Sequence, residues 1–301
     1  MNTAMGPNSW VQCMRAMRKK HLLSLAGLLL AGPLLQAQSR LQLKVFTSSP
    51  DGYSVNSTLV YGDKDAILID SQFLLSEAHR LAAMILESRK NLTTVYITHP
   101  HPDHYFGLAV IKQAFPNARL VALPATVAGI KAGWGPRYKF WSATHGGNVP
   151  ADPVIPEELQ GNTLTLEGQT LEIAGGLTGD SPKNNSYVWI PSLKAVVAGD
   201  IVFSGAHFVV PKMHQEWIQT LDQIAALHPV IVIAGHQIAG APTDASTIEF
   251  MKDYMQYFDQ AVASSKSADE LKEKMKSKYP DLGLETLLNS GSQAAFPAPG
   301  K

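Results

Sequence analysis

The chain of 301 residues has a single cysteine, Cys13. It lies in an N-terminal stretch read below as removable, so the remaining chain has no thiol. That remainder forms no disulfide, which a domain with a large core tolerates, and any metal it binds is held by oxygen and nitrogen donors. An excess of charge of one sign is missing too: 25 basic residues face 25 acidic ones. No basic run, and no basic patch interleaved with aromatics, occurs, so a nucleic-acid partner is not expected. There is no internal repeat, no low-complexity linker and no nucleophile elbow. A long hydrophobic run is also lacking. The most apolar stretch, residues 22–35, is interrupted by Gly27, Gly32 and Pro33 and falls short of the ~20 residues a membrane helix needs.

That stretch follows Arg15, Arg18, Lys19 and Lys20 and runs into Leu35-Gln36-Ala37. A basic region, a short apolar region and a small final residue read as a signal peptide over residues 1–37, although Leu35 is larger than usual at its position. An uncleaved anchor is the alternative, and Met14 or Met17 is an alternative start. The expected mature chain, 38–301, is one domain, periplasmic or secreted, with no stable membrane anchor. Four of the 25 basic residues and none of the acidic ones lie in the segment, leaving the remainder at net −4.

What is present is Thr98-His99-Pro100-His101-Pro102-Asp103-His104. Three imidazoles and a carboxylate within six positions are donors for zinc and similar divalent cations. The run follows Thr93-Thr94-Val95-Tyr96-Ile97, a β-branched and aromatic strand, and open α/β sheets bind ligands at strand ends. Two prolines stiffen the turn. His99 and His101 are two apart, so an extended segment points both to one face. Asp103 and His104 point elsewhere unless the chain turns, and Gly107 allows it to turn into the next helix. One metal on the first pair and a second on the later pair follows naturally, close enough to share a water.

His-x-His-x-Asp-His after a strand resembles the signature of the metallo-β-lactamase superfamily. Asp70 ending Ala66-Ile67-Leu68-Ile69, Gly199-Asp200 ending Ala195-Val196-Val197-Ala198, and Gly235-His236 ending Val230-Ile231-Val232-Ile233-Ala234 resemble its further motifs, in order. The resemblance implies an α/β (α+β) fold, a four-layer αββα sandwich. It implies two Zn2+ per chain, with iron or manganese as alternatives. The implied ligands are His99, His101, Asp103, His104, bridging Asp200 and His236, with Asp70 fixing a ligand histidine from behind.

One motif departs from the family. Its usual third histidine for the first metal is missing from Thr178-Gly179-Asp180-Ser181-Pro182-Lys183-Asn184-Asn185, and Asp180 takes the place. Asp180 is expected as a ligand; the alternative is a turn cap before Ser181-Pro182. His145, His207 and His214 are rivals for the position. With Asp180, three carboxylates and one hydroxide balance two divalent cations, and the first metal is less electrophilic than in an all-histidine site.

Elsewhere, 41–47, 58–61, 66–69 and 120–123 read as strands, and 76–88, 105–115 and 125–132 as helices. Residues 133–158 have poor periodicity. They form either a pocket wall, with Trp134 and Trp141 at the substrate, or an irregular connection whose aromatics plug the sandwich edge. In the second half, 163–166, 169–174, 187–190, 195–198 and 230–234 read as strands, and 215–227, 243–264 and 268–277 as helices. The tail from Ser292 is expected to be loose. His207 either reaches substrate or packs as an ordinary histidine.

The resemblance implies an exported dinuclear zinc hydrolase. In it, water activated by the metals attacks a small-molecule acyl carbonyl (lactone, ester or amide, β-lactam included), and Asp103 orients the nucleophile. A di-iron oxidoreductase of the same fold is one alternative, which the lack of a flavodoxin-like second domain disfavours. A non-catalytic metal-binding relative is another.

Overall fold

A computed structural model describes residues 40–297. The targeting segment expected over 1–37, Cys13 included, lies outside them. The first sheet begins as a meander of β1 (Gln42–Thr47), β2 (Asn56–Tyr61) and β3 (Asp65–Ile69). Helix α1 (Leu75–Ser88) then crosses over to β4 (Asn91–Ile97), parallel to β3. After α2 (Pro102–Tyr105) and α3 (Leu108–Ala114) comes the parallel strand β5 (Arg119–Ala122). Helix α4 (Pro124–His145) leads to the short edge strand β6 (Glu157–Glu158). The order is β1-β2-β3-β4-β5-β6.

The second half starts with β7 (Thr163–Leu166), β8 (Gln169–Leu177), β9 (Asn185–Ile190) and β10 (Ala195–Val197), antiparallel in sequence. Strand β11 (Phe203–Ser204) and α5 (His214–Ala225) precede β12 (Ile231–Ile233), which returns parallel beside β10. Strand β13 (His236–Gln237) pairs with β11. Helices α6 (Ser246–Ser264), α7 (Ala268–Lys278) and α8 (Glu285–Ala295) follow. This sheet runs β12-β10-β9-β8-β7.

The alternation of strand side chains builds four layers. In β3, Ala66 and Leu68 face a core shared with Leu81, Ile85, Leu108, Ile111 and Ile130 of the helices. Ile67 and Ile69 face the opposite way, into a core between the sheets with Tyr96, Ile173, Val188, Ile190 and Ile233. A third core packs Val196 and Val232 against Trp217, Leu221, Met251, Met255 and Leu288. Each fully buried aliphatic side chain here contributes about 1.5–3 kcal/mol. The expected αββα sandwich is the observed fold. Among the described residues no helix is long and apolar enough to cross a membrane.

Three local expectations need correction. Residues 133–145 are not irregular: α4 continues to His145 through Gly133, Gly135 and Pro136. Those three weaken the helical pattern, yet Trp134, Tyr138, Trp141 and His145 keep helical spacing on one face. The helix expected at 105–115 starts earlier, with Pro102 at its first turn, and breaks at Phe106-Gly107. Gly107 has an ordinary φ of −65°. It is glycine because a Cβ there would lie 1.8 Å from the Ser71 carbonyl oxygen. The tail does not loosen at Ser292, which is buried in α8 beside Leu288.

Candidate metal centre

Seven side chains from five segments converge at one end of the sheets. His99 and His101 come from the extended stretch after β4, and Asp103 and His104 from the single turn of α2. Asp180 lies in the β8–β9 loop, Asp200 in a 3-10 turn after β10, and His236 at the start of β13. They form two groups. His99, His101, Asp180 and Asp200 offer donor atoms all within 4.8 Å of one another, and so do Asp103, His104, Asp200 and His236. His101 Nδ1 is 2.9 Å from Asp180 Oδ2, and His99 Nε2 is 3.3 Å from Asp200 Oδ2. In the second group His104 Nε2 is 3.0 Å from Asp200 Oδ1, and His236 Nε2 is 3.4 Å from Asp103 Oδ2. Asp200 alone belongs to both.

The outer ring nitrogens fix the inner ones. His104 Nδ1–H donates to Asp70 Oδ2 at 2.8 Å. The Tyr53 carbonyl likewise accepts from His236 Nδ1–H at 2.7 Å. The Thr98 hydroxyl donates to Asp70 Oδ2 at 2.8 Å, which leaves its oxygen to accept from His99 Nδ1–H at 3.0 Å. In all three rings the proton is held outside and the Nε2 lone pair points into the cluster. Asp70 does this from a left-handed backbone, φ 60°, which aspartate tolerates better than most residues. Gly235 brings its strand against Asp200: a Cβ there would sit 2.2 Å from Oδ1.

His99 Nε2, His104 Nε2 and Asp200 Oδ1 are buried and have no hydrogen-bond partner. Each such orphan costs about 1–3 kcal/mol. His104 Nε2 and Asp200 Oδ1 lie 3.0 Å apart. Three carboxylates and four imidazoles aimed at two points fit a pair of divalent cations.

The charges are strongly coupled. Burial works to lower His101, but Asp180 foremost, then Asp200 and Asp103, hold it up at about 10. Burial opposes His104 and His236 likewise, and Asp200 leads the carboxylates that raise both. Burial works to raise Asp200, yet His236, His104 and His99 hold it well below the carboxylate range. Asp180 is lowered against its burial chiefly by His101. The cluster needs positive charge, as protons or as cations.

Over residues 50–236 the sequence matches the model of the metallo-beta-lactamase superfamily. The chain belongs to this superfamily. A metallo-beta-lactamase family protein from Thermus thermophilus is similar in structure, with TM-score 0.61 and 21% identity over 85% of this chain and 91% of that one. A beta-lactamase domain protein from Burkholderia ambifaria gives TM-score 0.61 and 16% identity over 85% and 83%. A metallo-beta-lactamase from Pontibacter korlensis gives 0.53 and 16% over 72% and 95%. Among curated proteins none matches this chain. The superfamily fold and the donor groups make this a metal-dependent hydrolase-type fold.

The floor of the site opens into a cavity of about 400 Å3. Trp141 lines it. Trp134 does not: it stacks on Tyr138 and packs beside Phe106. Neither does His207, which is buried within 3.0 Å of the Tyr254 hydroxyl. His145 packs on Phe73 and Trp141, and His214 pairs with Asp259, so neither stands in the two donor groups. Tyr53, Thr98, Phe203 and Leu287 are not legible in the sequence, whereas Phe140 falls in the 133–158 segment read there as a pocket wall.

Proposed function

We propose that the chain is a dinuclear metal-dependent hydrolase, zinc being the expected metal, that cleaves an acyl bond in a small molecule. The observation that carries the reading is the sharing of Asp200 between two four-residue donor groups at the floor of an open cavity. Divalent cations bound there supply polarisation of the scissile carbonyl and a water that loses its proton near neutral pH. His99, His101 and Asp180 would hold one cation and Asp103, His104 and His236 the other, with Asp200 available to both. Asp70 and Thr98 keep the ring protons outside, so the inner nitrogens stay available. Asp103 lines the cavity with a partly exposed carboxylate, placed to orient the attacking water. Asp180 in place of a histidine adds negative charge at the first position and moderates its cation's electrophilicity. Export rests on the composition of residues 1–37.

Metal analysis of the purified protein, paired with hydrolysis of p-nitrophenyl esters, lactones and nitrocefin, tests the reading. Two equivalents of metal with chelator-sensitive turnover are expected. One equivalent and no turnover across the panel would favour a non-catalytic metal-binding relative, and iron with redox activity would favour a di-iron oxidoreductase. Cell fractionation tests export.

A further inference from the structure

The cavity has two contrasting surfaces. Its floor is the donor cluster. Its walls are Tyr53, Phe140, Trp141, Phe203, Val209 and Leu287, with the hydroxyls of Tyr53 and Ser290 as their uncharged polar groups. Among the described residues, no lysine or arginine lines it. Arg137, one turn before Phe140 and Trp141 on α4, is turned away and donates to the Pro100 carbonyl. Lys276, near α8, is paired with Glu285. The floor provides no counter-charge either. With two divalent cations and one hydroxide bound, its three carboxylates would leave no net positive charge for an anionic substrate.

The walls show where a substrate lies. Phe140 is 63% exposed, one of few large apolar residues left so open. Its ring meets Trp141 edge-on at 4.8 Å, and Trp141 meets Tyr53 and Phe73. A rigid aromatic shelf thus runs from the buried core to the cavity rim, its outermost ring uncovered. An exposed apolar surface continuous with a reactive floor marks a ligand-binding site. An anion bound against it would lose hydration and meet only the hydroxyls of Tyr53 and Ser290, with no cationic side chain in exchange.

We infer that the substrate is an uncharged ester or lactone with a hydrocarbon chain of several carbons, which lies along Trp141 and Phe140 while its carbonyl meets the donor cluster. This rests on the hydrolase reading above. The balance is ordinary hydrolysis: water adds to the acyl carbon, the acyl–oxygen bond breaks, and the alkoxide leaves with a proton. Substrates whose recognition depends on a carboxylate, sulfate or phosphodiester are disfavoured.

The test uses the metal-loaded full chain and p-nitrophenyl acetate, butyrate, hexanoate and octanoate, with p-nitrophenyl hydrogen suberate as an octanoate-length ester ending in a carboxylate. Specificity kcat/KM should rise about threefold per methylene over the first few. The suberate should show a KM at least tenfold above octanoate with little change in kcat. Phe140→Ala should cut kcat/KM for octanoate several-fold more than for acetate. A second readout is calorimetric: octanamide should bind with a negative heat-capacity change that acetamide lacks. A flat chain-length profile, or a lower KM for the suberate, with turnover still chelator-sensitive, overturns the inference and leaves the hydrolase reading intact. Turnover of nitrocefin alone, with no ester or lactone cleaved, likewise overturns the inference and leaves the hydrolase reading intact; if nitrocefin is not cleaved either, the hydrolase reading fails. Octanamide titration then decides the apolar site separately: absence of binding overturns it.

Discussion

Asp70 Oδ2 accepts from His104 Nδ1–H and from the Thr98 hydroxyl, both at 2.8 Å, and Thr98 in turn supports His99. One carboxylate therefore orients a histidine in each donor group. Its other oxygen accepts from the Thr98 backbone N–H at 2.8 Å, which ties the end of β3 to the start of the metal loop.

Asp70→Asn keeps the size and the left-handed backbone but offers one accepting oxygen in place of two. Metal affinity should fall about 10- to 100-fold, the usual effect of losing a carboxylate behind a ligand histidine. Equilibrium dialysis against a graded chelator measures it. Unchanged affinity at both positions would remove Asp70 from the metal-binding account.

Asp180 and Asp200 separate by stoichiometry. Asp180→Ala removes a donor from the first group alone, so bound metal should drop from two equivalents toward one. Asp180→His should restore the second. Asp200→Ala removes a donor from both groups and should abolish turnover with loss of at least one metal. Metal analysis after gel filtration reads all three. A D180A protein that keeps two tightly held metals makes Asp180 a turn cap.

The contrast between what the sequence disclosed and what it hid follows from locality. His99, His101, Asp103 and His104 sit within six positions, and Asp200 and His236 each follow an apolar strand, so their chemistry and their position on the sheet could be read together. Tyr53 contributes through a backbone carbonyl, which any residue could supply. Its left-handed φ of 61° lies in a short 3-10 turn without periodic pattern. The wall formed by α4 was obscured because Gly133, Gly135 and Pro136 interrupt helix propensity, while tertiary packing of Trp134, Tyr138 and Trp141 overrides it. Helix α8 carries few strong apolar anchors, and Leu288 alone of its large side chains is fully buried.

Glu167, in the β7–β8 turn, accepts from the backbone N–H groups of Asp63, Lys64 and Asp65 at 2.9, 2.6 and 2.8 Å. Asp63 and Lys64 belong to the β2–β3 turn and Asp65 opens β3, so the side chain clips one sheet to the other far from the metal loop. Glu167→Gln weakens charge-assisted bonds at a partly exposed site and should cost about 1–2 kcal/mol. Urea unfolding measures it, with metal content and turnover unchanged. An unaltered midpoint would show the clip to be energetically neutral.

His207 gives the pH dependence. Burial pushes its imidazole down to about 4, with Glu285 opposing and Lys276 assisting. The unfolded chain binds this proton near pH 6.5, whereas the folded chain refuses it until about 4. The contribution is therefore fully present above pH 6.5 and is lost as pH falls through that window, by about 3 kcal/mol in all. His207→Gln places a non-titrating side chain beside Tyr254 and should remove this loss. Unfolding free energies of both proteins at pH 7, 5.5 and 4.5, with metal saturating, measure the difference, since the ligand histidines titrate alike in each. The wild type should lose stability on acidification faster than the variant; parallel curves would mean that His207 takes up its proton in the folded state.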